Sequence, residues 1–117
     1  MSCLFKSLSY FFPNITEQQL RHVICNYLQR NLTVGCAKAK EVIKWESGVG
    51  LQEYVNNMRK SSTWGGAIEI KCFCDILKRN VIVNSIPNNK QIQFLSSTPN
   101  VPTLRIYWTG GHYEPIK

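Results

Sequence analysis

Apolar residues recur with a helical period up to residue 79 and with an extended period after it. Residues 3–12 are a short apolar stretch that reads as a helix stopped by Pro13, because proline lacks the N–H and its ring clashes with the preceding turn. Thr16 opens the clearest helix, and Gln19 three residues later completes a capping box. Leu20, Val23, Ile24 and Leu28 share one face of it, while Glu17 and Arg21 form an i, i+4 pair on the predicted solvent side. From Val34 to Gly50 the periodicity is weak, with a loop at Ser47-Gly48 and Gly50. Leu51, Tyr54, Val55 and Met58 return to helical spacing. After Trp64-Gly65-Gly66, residues Ile70, Phe73 and Leu77 predict another helix over 67–79.

Beyond residue 80 the pattern becomes that of strands. Val81-Ile82-Val83 is a β-branched run of the kind buried in a sheet, Gln91 to Phe94 alternates polar and apolar, and Leu104, Ile106 and Trp108 alternate again. Gly110-Gly111 then makes a tight turn from which His112 to Ile116 returns as a partner strand. Helices first and strands later predict an α+β domain with a small, mostly antiparallel sheet. With 117 residues, no internal repeat and no long linker, residues 1–117 read as a single domain.

Composition narrows the function classes. The hydrophobic fraction of 44% suits a folded chain and excludes a disordered one. No apolar run approaches the roughly 18 residues of a membrane span, and the interrupted N-terminal stretch lacks the features of a secretory signal. Fourteen basic residues against seven acidic ones make the net charge +7, but they are scattered without a basic run, which argues against nucleic acid as the main partner. The five cysteines are an odd number, so at least one stays unpaired in a monomer, and a reducing, cytoplasmic setting is expected. Cys25, Cys72 and Cys74 fall in helical patterns and read as small buried hydrophobes. With only two histidines, and with Cys72 and Cys74 on divergent helix faces, no metal site is expected. His22 reads as a surface or boundary residue, and Trp64 and Trp108 as core or rim aromatics.

The residues able to do chemistry lie at the two ends. Cys3 begins a helical segment, and the partial positive charge of a helix start stabilises thiolate. His112 follows the Gly-Gly turn, and Glu114 shares its strand face because side chains alternate with period two. A thiol, an imidazole base and a carboxylate that orients it make a nucleophilic set.

Read together, three segments resemble the ovarian-tumour (OTU) family of cysteine proteases. Cys3-Leu4-Phe5-Lys6-Ser7-Leu8-Ser9 is similar to the family's nucleophile segment. Ser62-Thr63-Trp64-Gly65-Gly66 with Glu69 and Ile70, and Tyr54-Val55 and Met58 upstream, resembles its tryptophan-glycine signature. Ile106-Tyr107-Trp108 followed by Gly111-His112-Tyr113-Glu114-Pro115-Ile116 resembles its histidine strand.

The resemblance implies a papain-like OTU fold and a thiol-dependent deubiquitinase that needs no cofactor. Such an enzyme cleaves the bond after the Gly-Gly tail of ubiquitin or a ubiquitin-like modifier. Cys3 would be the nucleophile, His112 the general base and acid, and Glu114 the orienter, where the family usually carries Asp or Asn. Trp64 and Gly66 would be structural. The compactness is similar to short viral OTU domains, which implies a viral polyprotein as a further partner and the host cytosol as the setting. Family members place an aspartate three residues before the cysteine, in a loop whose amides help form the oxyanion hole. Only Met1 and Ser2 precede Cys3, so the chain is expected to lack the usual segment before the nucleophile. It is then either a piece of a longer protein or an impaired enzyme. The alternatives to an active protease are a ubiquitin-binding relative and, in another class, a small basic RNA-associated protein.

Overall fold

A computed structural model describes residues 3–116, with the side chain of Cys3 outside the description. Five described helices precede the main sheet: α1 (Cys3–Ser9), α2 (Glu17–Gln29), α3 (Ala39–Ser47), α4 (Leu51–Met58) and α5 (Ala67–Leu77). A short hairpin, β1 (Thr33–Val34) and β2 (Ala37–Lys38), lies between α2 and α3. The main sheet follows with β3 (Asn80–Ser85), β4 (Lys90–Phe94), β5 (Thr103–Trp108) and β6 (Tyr113–Pro115). Its spatial order is β4-β3-β5-β6. β3 pairs antiparallel with β4, β5 pairs antiparallel with β6, and β3 and β5 run parallel with Val83 opposite Ile106. The predicted α+β class with a mostly antiparallel sheet therefore holds.

One core joins helices and sheet. Leu4, Phe5 and Leu8 of α1, Leu20, Ile24 and Leu28 of α2, and Ile43 and Val55 of α3 and α4 belong to it. Ile70 and Phe73 of α5 connect it to Val81, Val83 and Ile106 of the central strands. Cys25, Cys72 and Cys74 are fully buried within it, as the small-hydrophobe reading requires.

Four expectations need correction. The first helix stops at Ser9 rather than residue 12. There Phe11 and Phe12 make tight i→i−3 bonds, and Phe12 turns edge-on to Phe73 of α5 at 5.8 Å. The last helix stops at Leu77 because Lys78 takes the left-handed conformation, φ 56°, a common way to end a helix. The weakly periodic stretch after Val34 contains the β1–β2 hairpin and a full helix, α3, ended by Gly48 at φ 77°. The largest correction concerns α2, whose buried side carries Leu20, Arg21, Ile24, Cys25 and Leu28. Val23 is 41% exposed. Arg21 is buried instead of facing solvent with Glu17, because its guanidinium finds carbonyl acceptors in the interior. The capping box at the start of α2 forms as read: the Gln19 amide donates to Thr16 Oγ1 (3.1 Å) and the Thr16 amide to Gln19 Oε1 (2.9 Å).

Candidate active site

The segment before α5 is packed directly onto α1. A Cβ placed on Gly65 would lie 2.9 Å from Leu4 Cδ2 and 3.0 Å from Phe5 Cε2, closer than packed carbons tolerate. Glycine at this position lets the backbone rest on the two residues that follow Cys3. The Arg21 guanidinium stacks over the Phe5 ring of α1 at 4.3 Å, a cation–π contact in a desolvated setting. Arg21 also donates to the Met58 carbonyl (2.7 Å) and the Ser61 carbonyl (3.3 Å), which ties the end of α4 and the loop after it to α2.

Glu69, in the first turn of α5, is the other buried charged residue among those described. Its Oε1 accepts the Gly66 amide at 2.7 Å, and its Oε2 accepts the Tyr54 hydroxyl at 2.6 Å. Burial pushes the Glu69 carboxyl above the ordinary carboxylate range, while the Tyr54 and Gly66 hydrogen bonds and the field of Arg21 oppose that shift. Tyr54 moves up as well, through burial first and then the adjacent Glu69. Spacing contained a signal for this contact, since a glutamate three residues after a helix N-cap is the reach-back half of a capping box. Its burial and its bond to α4 left no such trace.

The histidine segment is built by the turn between β5 and β6. The Thr109 amide donates to the His112 carbonyl (2.9 Å), and the His112 amide donates to Thr109 Oγ1 (3.2 Å). Gly110 sits at φ 106° between them, a region favourable only to glycine. The strand assigned from alternation begins one residue later than read, at Tyr113. Its faces are as expected: His112 and Glu114 are exposed, while Tyr113 and Pro115 are half-buried. Glu114 lies opposite Tyr107 and Tyr113 opposite Trp108.

Helix α1 packs against β6. This contact brings α1 beside β6, the last described strand. Cys3 is the first residue of α1, and its side chain lies outside the described residues. Cys25 and Cys74 are poor nucleophiles, because burial pushes their thiols up to about 11 and about 12. Cys36 is the exposed free thiol among the described side chains and lies in the β1–β2 turn. His22 is exposed on α2 beside Gln18 (3.1 Å).

Trp64 is 65% exposed, so its indole is no core support; the close packing in this segment belongs to Gly65. Trp108 and Tyr113 line an open pocket of about 210 Å³ between α5 and the sheet, together with Ile70, Phe94 and the hydrogen-bonded Ser85–Asn88 pair. Among the described residues, no group of three His, Cys, Asp or Glu side chains is placed to hold a metal. No described helix is long and apolar enough to cross a membrane.

Helices flanking a small mixed sheet, with a helix opened by cysteine packed on a strand entered through histidine, define the architecture of a papain-like cysteine protease. The profile of the OTU-like cysteine proteases matches residues 2–113, and the chain belongs to that family. Protein 232R of Invertebrate iridescent virus 3, named as a ubiquitin thioesterase, is 29% identical over 86% of the chain and 13% of its own length. Ubiquitin thioesterase OTU1 of Mus musculus is 25% identical over 99% of the chain and 33% of its own length. The chain thus spans a third or less of these relatives. A solved OTU domain in complex with ubiquitin superposes with a TM-score of 0.79 at 23% identity, over 97% of this chain and 62% of that one. The fold is the papain-like OTU fold.

Proposed function

We propose that the protein is a thiol-dependent deubiquitinase, cleaving the peptide or isopeptide bond after the Gly-Gly tail of ubiquitin or a ubiquitin-like modifier. The observation that carries this reading is the packing of α1, which opens with Cys3, against β6, which is entered through His112. Family membership and the names of the relatives support it.

In the proposed reaction His112 takes the proton of Cys3, and the thiolate attacks the carbonyl of the terminal glycine. The new C–S bond gives a tetrahedral intermediate. Its collapse breaks the C–N bond, and the imidazolium returns the proton to the departing amine. Water, deprotonated by His112, then attacks the thioester and releases the tail as a carboxylate, restoring the thiol. Glu114 orients His112 from two residues along the strand, a longer carboxylate where the family usually has Asp or Asn. Residues 1–117 act as one OTU-like domain in this reading. It works in a reducing cytoplasm, the host's if the protein is viral, because oxidation would remove the thiolate.

Ubiquitin carrying a C-terminal electrophile tests the reading. The wild-type chain is expected to gain one covalent ubiquitin at Cys3, Cys3→Ala none, and His112→Ala to react about 10²-fold or more slowly. Ubiquitin binding without any adduct overturns the enzyme and leaves a binding protein. Affinity for RNA that falls steeply with salt, without ubiquitin binding, replaces both.

A further inference from the structure

We propose that Glu69 is a positioning residue for this cleavage: by accepting from both Tyr54 and Gly66 it locks the Gly65–Gly66 segment onto α1 and so sets where Cys3 stands relative to His112. The inference rests on the deubiquitinase reading for its consequence and on described contacts for its geometry.

A helix cap alone does not explain Glu69. An exposed glutamate would serve the Gly66 amide equally well, whereas Glu69 is 1% exposed. A buried carboxylate is costly unless hydrogen-bonded, and here the second oxygen is taken by the Tyr54 hydroxyl of a different helix. The two oxygens therefore bridge α4 to the start of α5. The next residue back, Gly65, touches Leu4 and Phe5 without any side chain between. A displacement of Gly66 passes to α1 through contacts that cannot absorb it, because packed interiors yield little. Arg21 adds a second contact to Phe5, stacked on its ring and anchored to the end of α4 and the loop after it.

The groups that feel Glu69 come from several elements. They are Arg21 and Cys25 on α2, Tyr54 on α4, Cys72 on α5 itself and Tyr113 on β6. Tyr113 is the neighbour of His112 in the chain. The Tyr54 bond is one of the interactions that oppose the upward push of burial on the Glu69 carboxyl. Without it, protonation starts at higher pH. A protonated carboxyl has one fewer acceptor position for its two partners.

The test uses the full chain with a fluorogenic ubiquitin C-terminal amide and two variants, Tyr54→Phe and Glu69→Gln. Tyr54→Phe keeps the ring and removes only the hydroxyl. It is expected to lower kcat about tenfold with KM within about twofold, the signature of misplaced reacting groups. It should also move the acid limb of kcat to higher pH. In both variants the α1 amides of residues 6–9 should exchange with deuterium about tenfold faster, while those of β3 and β4 stay unchanged. Folded variants with wild-type α1 exchange and an unmoved acid limb overturn the positioning role. If the wild type never cleaves but α1 loosens in both variants, the Glu69 bridge stands and the deubiquitinase reading falls. If Glu69→Gln fails to fold, Tyr54→Phe decides alone by the same two readouts.

Discussion

The chain contains two Gly-Gly pairs, and they are glycine for different reasons. Gly65-Gly66 is half-buried where the chain enters α5, and at Gly65 space is the constraint: a Cβ there would press into Leu4 and Phe5. Gly110-Gly111 lies outside, in the β5–β6 turn, where backbone conformation is the constraint. Gly110 sits at φ 106°, and a Cβ there would meet only Pro87 Cγ, at an ordinary 3.4 Å. Gly65 governs where α1 rests, and the outer pair governs how β6 is entered. Substitutions should therefore damage the two ends of the proposed catalytic pair by separate routes.

The inner route has the larger effect. Gly65→Ala forces Leu4 or Phe5 to move, and both are buried with little room to do so. Overpacking of this kind costs roughly 1–3 kcal/mol. A thermal melt should show a loss of about 5 °C or more, and labelling by the ubiquitin electrophile should slow because α1 is displaced. A melting temperature equal to wild type would mean that α1 is less tightly seated than the Gly65 contact indicates.

The same contrast explains how far the sequence could be read. Elements whose signals are local were legible: the Thr16–Gln19 capping box, the spacing of α4 and α5, and the alternation that puts His112 and Glu114 on one face. The outer turn was legible too, since Gly-Gly between two alternating runs marks a hairpin. What depends on contacts distant in sequence was not. Arg21 reads as a solvent partner of Glu17 until Phe5, Met58 and Ser61 come together around it. Charge is a good guide to exposure only when no interior acceptor is available. The parallel pairing of β3 with β5 likewise joins strands that are not consecutive, and Glu69 looked like a neighbour of the tryptophan-glycine signature rather than its anchor.

The outer route is predicted to be milder for the fold. Gly110→Ala places a side chain in a disfavoured backbone region at a cost of about 1–2 kcal/mol, with no packing penalty added. The melt should drop by less than for Gly65→Ala, while labelling still slows because the residues leading into His112 must re-form the turn. Equal losses in the two variants would remove the distinction between space and conformation.

Alkali probes the inner region in another way. Burial pushes the Cys25 thiol up to about 11, so the folded state holds this proton more tightly than the unfolded chain, whose thiol titrates near its ordinary value. The stabilisation is full below about pH 8.5 and is lost as pH rises toward 11, with a limiting slope of about 1.4 kcal/mol per pH unit for one proton. Denaturant melts of Cys25→Ala between pH 8.5 and 10.5 should show a shallower decline than wild type, whatever the absolute loss from the smaller side chain. Parallel curves would place the alkaline sensitivity elsewhere, for instance at Cys74.

The smallest effect is expected at Gly111. This residue is outside the positive-φ set, and nothing lies within 4 Å of a Cβ built on it. Alanine there meets neither of the constraints that act on Gly65 and Gly110. It also narrows the conformations of the unfolded chain, which by itself stabilises by about 0.4–1 kcal/mol. Gly111→Ala should therefore melt at the wild-type temperature or slightly above it. A clear loss would show that the outer turn needs both glycines, and that the approach to His112 is held by packing as well as by backbone shape.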